Sequence, residues 1–268
     1  MSGGALRQRD GIAALSPAAL RREIRSGRHD GLTSGLAPGH LQGNLVVLPA
    51  KAADAFEAFC RANDASLPLI ERGAPGDPML RCGQDFDVRS DLPRYRVWRD
   101  GAPAECVADI SALWRGDSTA FVLGCWFANE AALARAGVRQ RHMELGIQGA
   151  LFRTARAAVP AGRFAGPVVV SMRPFAEADL ARVAAITAQR PLAHGAPLHA
   201  GDPAALGIGD LAAPDFGAPI PPLPGETPVF WACGLTGQEA LAASGLPFFV
   251  THEPGHMAVT DIPTDEAP

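Results

Sequence analysis

Lysine is almost missing from this chain: Lys51 is the only one in 268 residues. It opens the segment "PAKAADAFEAFCRAND", whose apolar spacing is that of a helix with the lysine turned outward. Schiff-base and pyridoxal-phosphate chemistry need a buried lysine amine, so neither is expected, and no cofactor is called for. Charge is scarce too. Asp, Glu, Lys and Arg make up 19% of the residues and the net charge is -4. That balance offers no basic surface to a phosphate backbone, so no nucleic-acid partner is expected. The weakly charged surface is compatible with a homo-oligomer. Paired cysteines are lacking as well: Cys60, Cys82, Cys106, Cys125 and Cys233 are odd in number, widely spaced and without a C-x-x-C. This pattern belongs to reduced thiols in a cytoplasm-like compartment. No stretch approaches the roughly 18 uninterrupted apolar residues of a membrane span. The segment "MSGGALRQRDGIAALSPAALRREIRSG" holds no secretory apolar core, and Asp10, Glu23 and Asp30 spoil the acid-poor pattern of a mitochondrial presequence. The expectation is a cytoplasmic chain with no membrane contact.

Glycine and proline are plentiful. At 29 and 24 residues they form about a fifth of the chain, short of disordered compositions, and they predict long ordered loops. With 47% hydrophobic residues the chain can bury one large core or two small ones. Ser16 and Pro17 read as an N-cap and a first-turn proline, "LQGNLVVLP" as a buried strand, and Pro49 to Asn63 as an amphipathic helix. "RYRVWRDGAPAECVAD" predicts a hairpin turning at Asp100 and Gly101. From Ser118 the order is strand, helix, strand, strand, helix, strand, the split arrangement of a ferredoxin-like layer. The expected fold class is α/β: a mixed-sheet body of residues 12–117 plus 201–268, with a smaller α+β subdomain, 118–200, inserted in it. "FVLGCWFANEAALARAGV" and "VFWACGLTGQEALAASGL" echo each other in order of strand, cysteine, glutamate and helix. Alanine-rich units resemble one another by chance, so no duplication is inferred.

"THEPGHM", residues 251–257, spells the H-E-x-x-H of zinc proteases. That motif works only on a helix, where residues four apart share a face. Pro254 and Gly255 would cost a helix interior roughly 3 and about 1 kcal/mol relative to alanine. The segment is therefore read as a strand end running into a Pro-Gly turn that gathers His252, Glu253 and His256.

The stretch "VFWACG", "TGQEALAASG", "LPFFVTH" reads as strand, helix and parallel strand, with both strand ends on one edge, where ligands bind in open α/β sheets. Those ends carry Cys233 and His252. Thr236 and Glu239 form a T-x-x-E capping box that brings a helix N-terminus to the same edge. Cys233 is either a small core residue or a nucleophile. A second edge follows "GPVVVSMRP", with Ser171 and Arg173, and "LHAGDP" adds His199 and Asp202. Asp202 precedes Pro203 and either caps a helix or acts as an acid. Arg94 and Arg96 flank Tyr95 and either clamp a carboxylate or form the solvated face of an edge strand. The catalytic candidates are thus His252, His256, His199, Asp202 and Cys233; the substrate-binding candidates are Arg173, Arg94, Asn44 and Thr236. His194, outside any motif, reads as a surface or loop histidine. "GIGDLA" imitates a dinucleotide loop, but no strand precedes it.

Six segments in order, "GLTSGLAPGHLQGNLVVLP", "SDLPRYRVWRDG", "AGRFAGPVVVSMRP", "HGAPLHAGDPAALGI", "VFWACG" and "THEPGHM", resemble the D-glutamate cyclase family from about Gly31 to Asp261. Its bacterial members carry a hydro-lyase label. The chain departs from the family pattern in "CWFANE" and "GIQGALFRTAR", where members carry more hydroxyls and an asparagine. The resemblance implies a reaction that loses water: the amine of D-glutamate attacks its own γ-carboxylate and gives 5-oxo-D-proline. Such a reaction needs a base for the ammonium, a cation for the carboxylate and an acid for the departing oxygen. Histidine suits the first and last, arginine the second. On this reading His252 and His256 share acid and base work, His199 and Asp202 support them from the neighbouring edge, and Arg173 or Arg94 receives the small carboxylate substrate. The imidazoles of His252, His256 and His199 should then open into a common cleft. The same groups would serve dehydration of a hydroxy acid. Two other readings stand beside these: a metal site built on His252, His256 and Asp261, and a carboxylate-binding protein without catalysis.

Overall fold

The computed structural model describes residues 11–264; the last four residues of the expected body segment lie outside them. In chain order the elements are helix α1 (Pro17–Arg25), β1 (His40–Pro49), α2 (Ala50–Ala62), β2 (Leu69–Arg72), β3 (Met79–Leu80), β4 (Phe86–Asp87), β5 (Tyr95–Arg99), β6 (Ala102–Val107) and β7 (Ser118–Gly124). There follow α3 (Glu130–Arg135), α4 (Arg141–Leu145), β8 (Ala150–Ala157), β9 (Pro167–Ala176), α5 (Leu180–Ala188), β10 (His199–Ala200), β11 (Phe216–Gly217), β12 (Glu226–Ala232), α6 (Leu235–Ala243), β13 (Phe248–His252) and β14 (Ala258–Pro263). The mixed α/β class expected from the sequence is the class adopted. Two larger sheets organise it, one in the order β2-β7-β1-β13-β5-β6 with β14 also on β1, the other β10-β12-β9-β8-β11.

Local signals held where the chemistry is local. Ser16 Oγ accepts from the Ala19 amide at 3.3 Å and Pro17 opens α1. The β5–β6 hairpin turns through Asp100 and Gly101, both with positive φ, as a primed turn requires. Strand β1 is buried on both faces, which its apolar run demands. Val46 and Leu48 pack with Phe56 and Phe59 of α2, while Leu45 and Val47 pack with Tyr95, Val97 and Val122. Phe56 meets Phe121 and Phe164 edge to face at 5.1 and 5.2 Å. Each buried ring of this kind contributes about 2 kcal/mol by removal from water, and Lys51 stays exposed on the other side of the helix.

Long-range pairing departs from the sequence reading. The expected parallel crossover does not form: β12 pairs with β9 and β10, β13 pairs with β1 and β5, and every pairing among the described residues is antiparallel. Strand order within 118–200 also differs from the ferredoxin-like one. Strand β7 finds its partners in β1 and β2 of the first sheet, whereas β8, β9 and β10 belong to the second. The chain after β12 thus passes from one sheet to the other, and α6 lies at the junction, with the Thr236 Oγ1 accepting from the Val169 amide at 2.9 Å.

Two features of register place the site. Val46 stands opposite Thr251 in β13 and Gly43 opposite Ala258 in β14, so three steps along β1 match seven along its partner. The extra residues are the "HEPGH" turn, looped out beside Asn44 and Leu45. In the second sheet Ser171 lies opposite Trp231 and Leu151, while Met172 lies opposite Phe230 and Ala150. Alternation sends Leu151, Ser171 and Arg173 to one face, and Phe152, Met172 and Phe230 to the other, where they form a core of their own.

Candidate functional site

The looped-out turn and the Arg173 face of the second sheet line a small cavity that opens to solvent. Asn44, His252, Pro254 and Gly255 wall it from the first sheet; Leu151, Ser171 and Arg173 wall it from the second. Cys125, Trp126 and Phe127, following β7, and Cys233, following β12, complete the junction with His194 and Gln148. Asn44 Nδ2 donates to the Gly124 carbonyl at 2.7 Å, which ties the end of β7 to β1. The absence of a side chain at Gly234 makes this possible, because a Cβ there would sit 2.4 Å from Asn44 Nδ2.

Arg173 dominates the electrostatics. It is 3% exposed, its guanidinium carbon lies 3.7 Å from the centre of the Trp126 ring, and Nη2 donates to the Gln148 carbonyl at 3.2 Å. Nε and Nη1 have no partner among the described residues. Burial pulls its pKa down to about 10, partly opposed by the carboxylate of Glu130 and the thiols of Cys125 and Cys233, so the group remains cationic at neutral pH. Two further buried polar atoms of residues in the cavity wall, Ser171 Oγ and Trp126 Nε1, have no partner among the described residues. Orphaned donors beside a buried positive charge are costly, and a carboxylate accepting from one or more of them would offset part of that cost.

The other titratable walls are neutral. His252 and His194 are buried, which drops both pKa values to about 4. His252 Nδ1 faces the Leu45 carbonyl at 3.4 Å and His194 Nδ1 faces the Ala65 carbonyl at 2.9 Å. A carbonyl only accepts, so in each ring Nδ1 carries the proton and Nε2 holds the basic lone pair. Burial likewise pushes the Cys125 thiol up to about 12 and the Cys233 thiol up to about 11. Neither is a thiolate at neutral pH, and the nucleophile expected in Cys233 is a protonated wall instead.

Of the residues singled out from the sequence, Asn44, Arg173, Cys233 and His252 meet in this cavity. The others lie elsewhere. His256 is half-buried at the turn with Nδ1 on the Pro254 carbonyl at 3.0 Å. His199 stacks on Phe230 and bonds the Asp202 carbonyl at 2.8 Å; paired opposite Phe230, it belongs to the sheet face turned away from Arg173. Asp202 caps the turn at Ala204, the first of its two expected roles. Arg94 pairs with Asp30 and Arg96 grips Glu253 through two bonds of 2.8 and 2.6 Å. The two arginines thus do not share a carboxylate: Arg96 alone grips the glutamate of the H-E-x-x-H sequence, and Arg94 is held by Asp30. Thr236 bonds to β9 and Glu239 pairs with Arg153, so the capping box is replaced by Gly234 at the N-cap. The turn is not a helix. Asp261 is engaged by Arg21 at 2.9 Å, and the described residues contain no group of three or more His, Cys, Asp or Glu able to hold a metal.

Sequence reasoning passed over several members. His194 is buried rather than superficial, held in a left-handed turn at φ 72°. Glu130 is buried, accepting from Ser34 Oγ and the Gly35 amide, both at 2.7 Å, and from His142 Nε2 at 3.0 Å. His142 in turn lies edge-on to Trp126 at 5.5 Å, so the ring under the Arg173 guanidinium is braced by an imidazole that Glu130 holds in place. The repeated strand-cysteine pattern was the available clue: Cys125 and Cys233 follow strands of different sheets and arrive at one cavity.

A family model described as D-glutamate cyclase matches residues 119–261. A protein of Pseudomonas aeruginosa (strain UCBPP-PA14), "Putative hydro-lyase PA14_37210", is 51% identical to this chain over 95% of it and 97% of the relative. Under the same hydro-lyase name, Bpet2233 of Bordetella petrii is 50% identical over 90% of this chain and 92% of its own, and Mrad2831_3350 of Methylobacterium radiotolerans is 47% identical over 97% of each.

Proposed function

Because the chain belongs to the D-glutamate cyclase family, we propose that it removes water from a small amino or hydroxy carboxylic acid, with D-glutamate to 5-oxo-D-proline as the leading reaction. The observation that carries this reading is Arg173, buried and charged with Nε and Nη1 unpartnered in a cavity. A substrate carboxylate accepts from one of those two nitrogens, and Ser171 Oγ and Trp126 Nε1 are further donors of the same wall.

In the cyclisation the amine nitrogen bonds to the γ-carboxyl carbon and one carbon-oxygen bond breaks. The ammonium loses two protons and the departing oxygen leaves as water with two, so the reaction is neutral in charge and needs no other reactant. His252, neutral with a basic Nε2, takes the first proton and returns it to the oxygen. His194 is the second neutral imidazole of the same cavity. The net negative charge of an incoming substrate with two carboxylates and one ammonium raises both imidazole pKa values toward neutrality, which makes each a stronger base when substrate is present than when it is not. Arg173 withdraws charge from the carboxylate under attack, and the buried setting strengthens that effect. The hydro-lyase name of the relatives supports the sister reaction, in which the same base removes the proton α to a carboxylate and a β-hydroxyl departs as water.

Mass spectrometry of purified protein incubated with D- and L-glutamate and a set of small hydroxy acids tests the reading. Loss of one water from at least one of them, abolished in Arg173→Met, is the expected result. Binding without turnover across the set would favour a carboxylate-binding protein instead.

A further inference from the structure

We propose that Gln148 is a specificity-determining residue: its carboxamide closes the neck of the cavity and binds the end of the substrate that Arg173 does not hold. The inference rests on the reading of Arg173 as a carboxylate receptor and adds a second contact point to it.

Gln148 and Pro254 wall the inner cavity and also an outer pocket formed by Leu32, Arg96, Phe216 and Glu253. The two spaces are thus separated at these residues. The Gln148 side chain bridges the gap between β11 and the Pro-Gly turn. A methyl group added to Gly217 would lie 3.0 Å from its Nε2, and one added to Gly255 would lie 2.9 Å from its Oε1. Both glycines have positive φ, 75° and 83°, so the walls on either side are bare backbone and the carboxamide is what fills the neck.

This carboxamide has two donors and an acceptor, yet its backbone carbonyl, on Arg173 Nη2 at 3.2 Å, is the only part of Gln148 that bonds within the described residues. A side chain held by shape alone rotates at little cost, so ligand can pass it and water is excluded when it returns. Its free amide faces a neighbourhood without net charge, because Arg96 and Glu253 neutralise each other. The receptor and the neck are also joined through one peptide unit, which fixes their separation. A substrate with a carboxylate on Arg173 and a second polar acceptor a few carbons away would reach the Gln148 amide; a monocarboxylate of equal length would leave it unsatisfied. The residue therefore discriminates dicarboxylates from monocarboxylates.

Calorimetric titration of glutarate and valerate, two five-carbon chains with two carboxylates and one, decides it on wild type, Gln148→Glu, Gln148→Leu and Arg173→Met. Wild type should prefer glutarate. Gln148→Glu should weaken glutarate roughly tenfold or more through like-charge repulsion while changing valerate less than about threefold, and Gln148→Leu should erase most of the preference with an increase in substrate KM. Equal losses for both ligands in Gln148→Glu, or an unchanged preference in both Gln148 variants, overturn the proposal. Arg173→Met separates the two readings: loss of both ligands leaves the receptor standing and the Gln148 result decisive, whereas wild-type binding by that variant removes the receptor and this inference with it.

Discussion

Replacing Arg173 with methionine should make the protein inactive and, at the same time, no less stable. Burial that lowers the Arg173 pKa from 12.5 to about 10 corresponds to about 3 kcal/mol spent on keeping the charge in the fold. Methionine removes that cost. It also removes the bond to the Gln148 carbonyl, about 1 kcal/mol, and the stacking on Trp126, about 1 kcal/mol. The balance is a gain of about 1 kcal/mol for the unliganded protein, or a rise of about 2–4 °C in melting temperature for a chain of this size. Activity should move the other way. Truncating one side of a desolvated, hydrogen-bonded charge pair costs about 3–5 kcal/mol, so kcat/KM should fall at least about a hundredfold. Thermal denaturation with and without glutarate reads both effects, since a ligand at a hundred times its Kd stabilises by about 2.7 kcal/mol. A variant less stable than wild type by 2 kcal/mol or more, or one stabilised by glutarate as wild type is, would refute the reasoning that Arg173 is a strained receptor rather than a structural bond.

The remaining expectations follow from neighbouring residues. His252 and His194 have folded pKa values of about 4 against 6.5 for free imidazole, so between these values the unfolded chain binds more protons than the folded one. Stability should therefore fall as pH drops below about 6.5 and continue falling to about 4, by up to about 3 kcal/mol for each ring, and urea melts of wild type against His194→Gln should show a shallower fall in the variant. Glu130→Gln weakens the bonds of this buried carboxylate to Ser34, Gly35 and His142 and should cost about 1–3 kcal/mol; a smaller cost in the Arg173→Met background, read from a double-mutant cycle, would measure its coupling to the Arg173 charge. Gly234→Ala places a methyl 2.4 Å from Asn44 and should lower stability by about 1–3 kcal/mol together with activity, read from the same melts and a water-loss assay.

Short-range chemistry was legible in the sequence. The Pro-Gly pair ruled out a helix at 251–257, Ser16 and Pro17 marked the start of α1, and Asp100-Gly101 marked a hairpin, each because a backbone conformation is decided by one or two residues. Arg173, His252, Cys233 and Asn44 were found because they sit in strands or at their ends, where side-chain direction has period two. His199 was misplaced by the same rule: it pairs opposite Phe230, one residue from Trp231 and therefore on the opposite face. Sheet membership was not legible, since β12 and β13 flank one short helix yet pair in different sheets, and nothing within the segment distinguishes a crossover from a passage between layers. Glu130, His142 and His194 escaped for the same reason, as their partners lie at Ser34, Trp126 and Ala65, far away in sequence.

The most direct test of the central claim is a crystal structure with glutarate bound. Arg173 should hold a carboxylate oxygen on Nε or on Nη1 at about 2.8 Å, inside the cavity walled by Ser171, Trp126 and His252. Glutarate bound at Arg94 or Arg96 on the surface, with Nε and Nη1 of Arg173 still unpartnered, would contradict it.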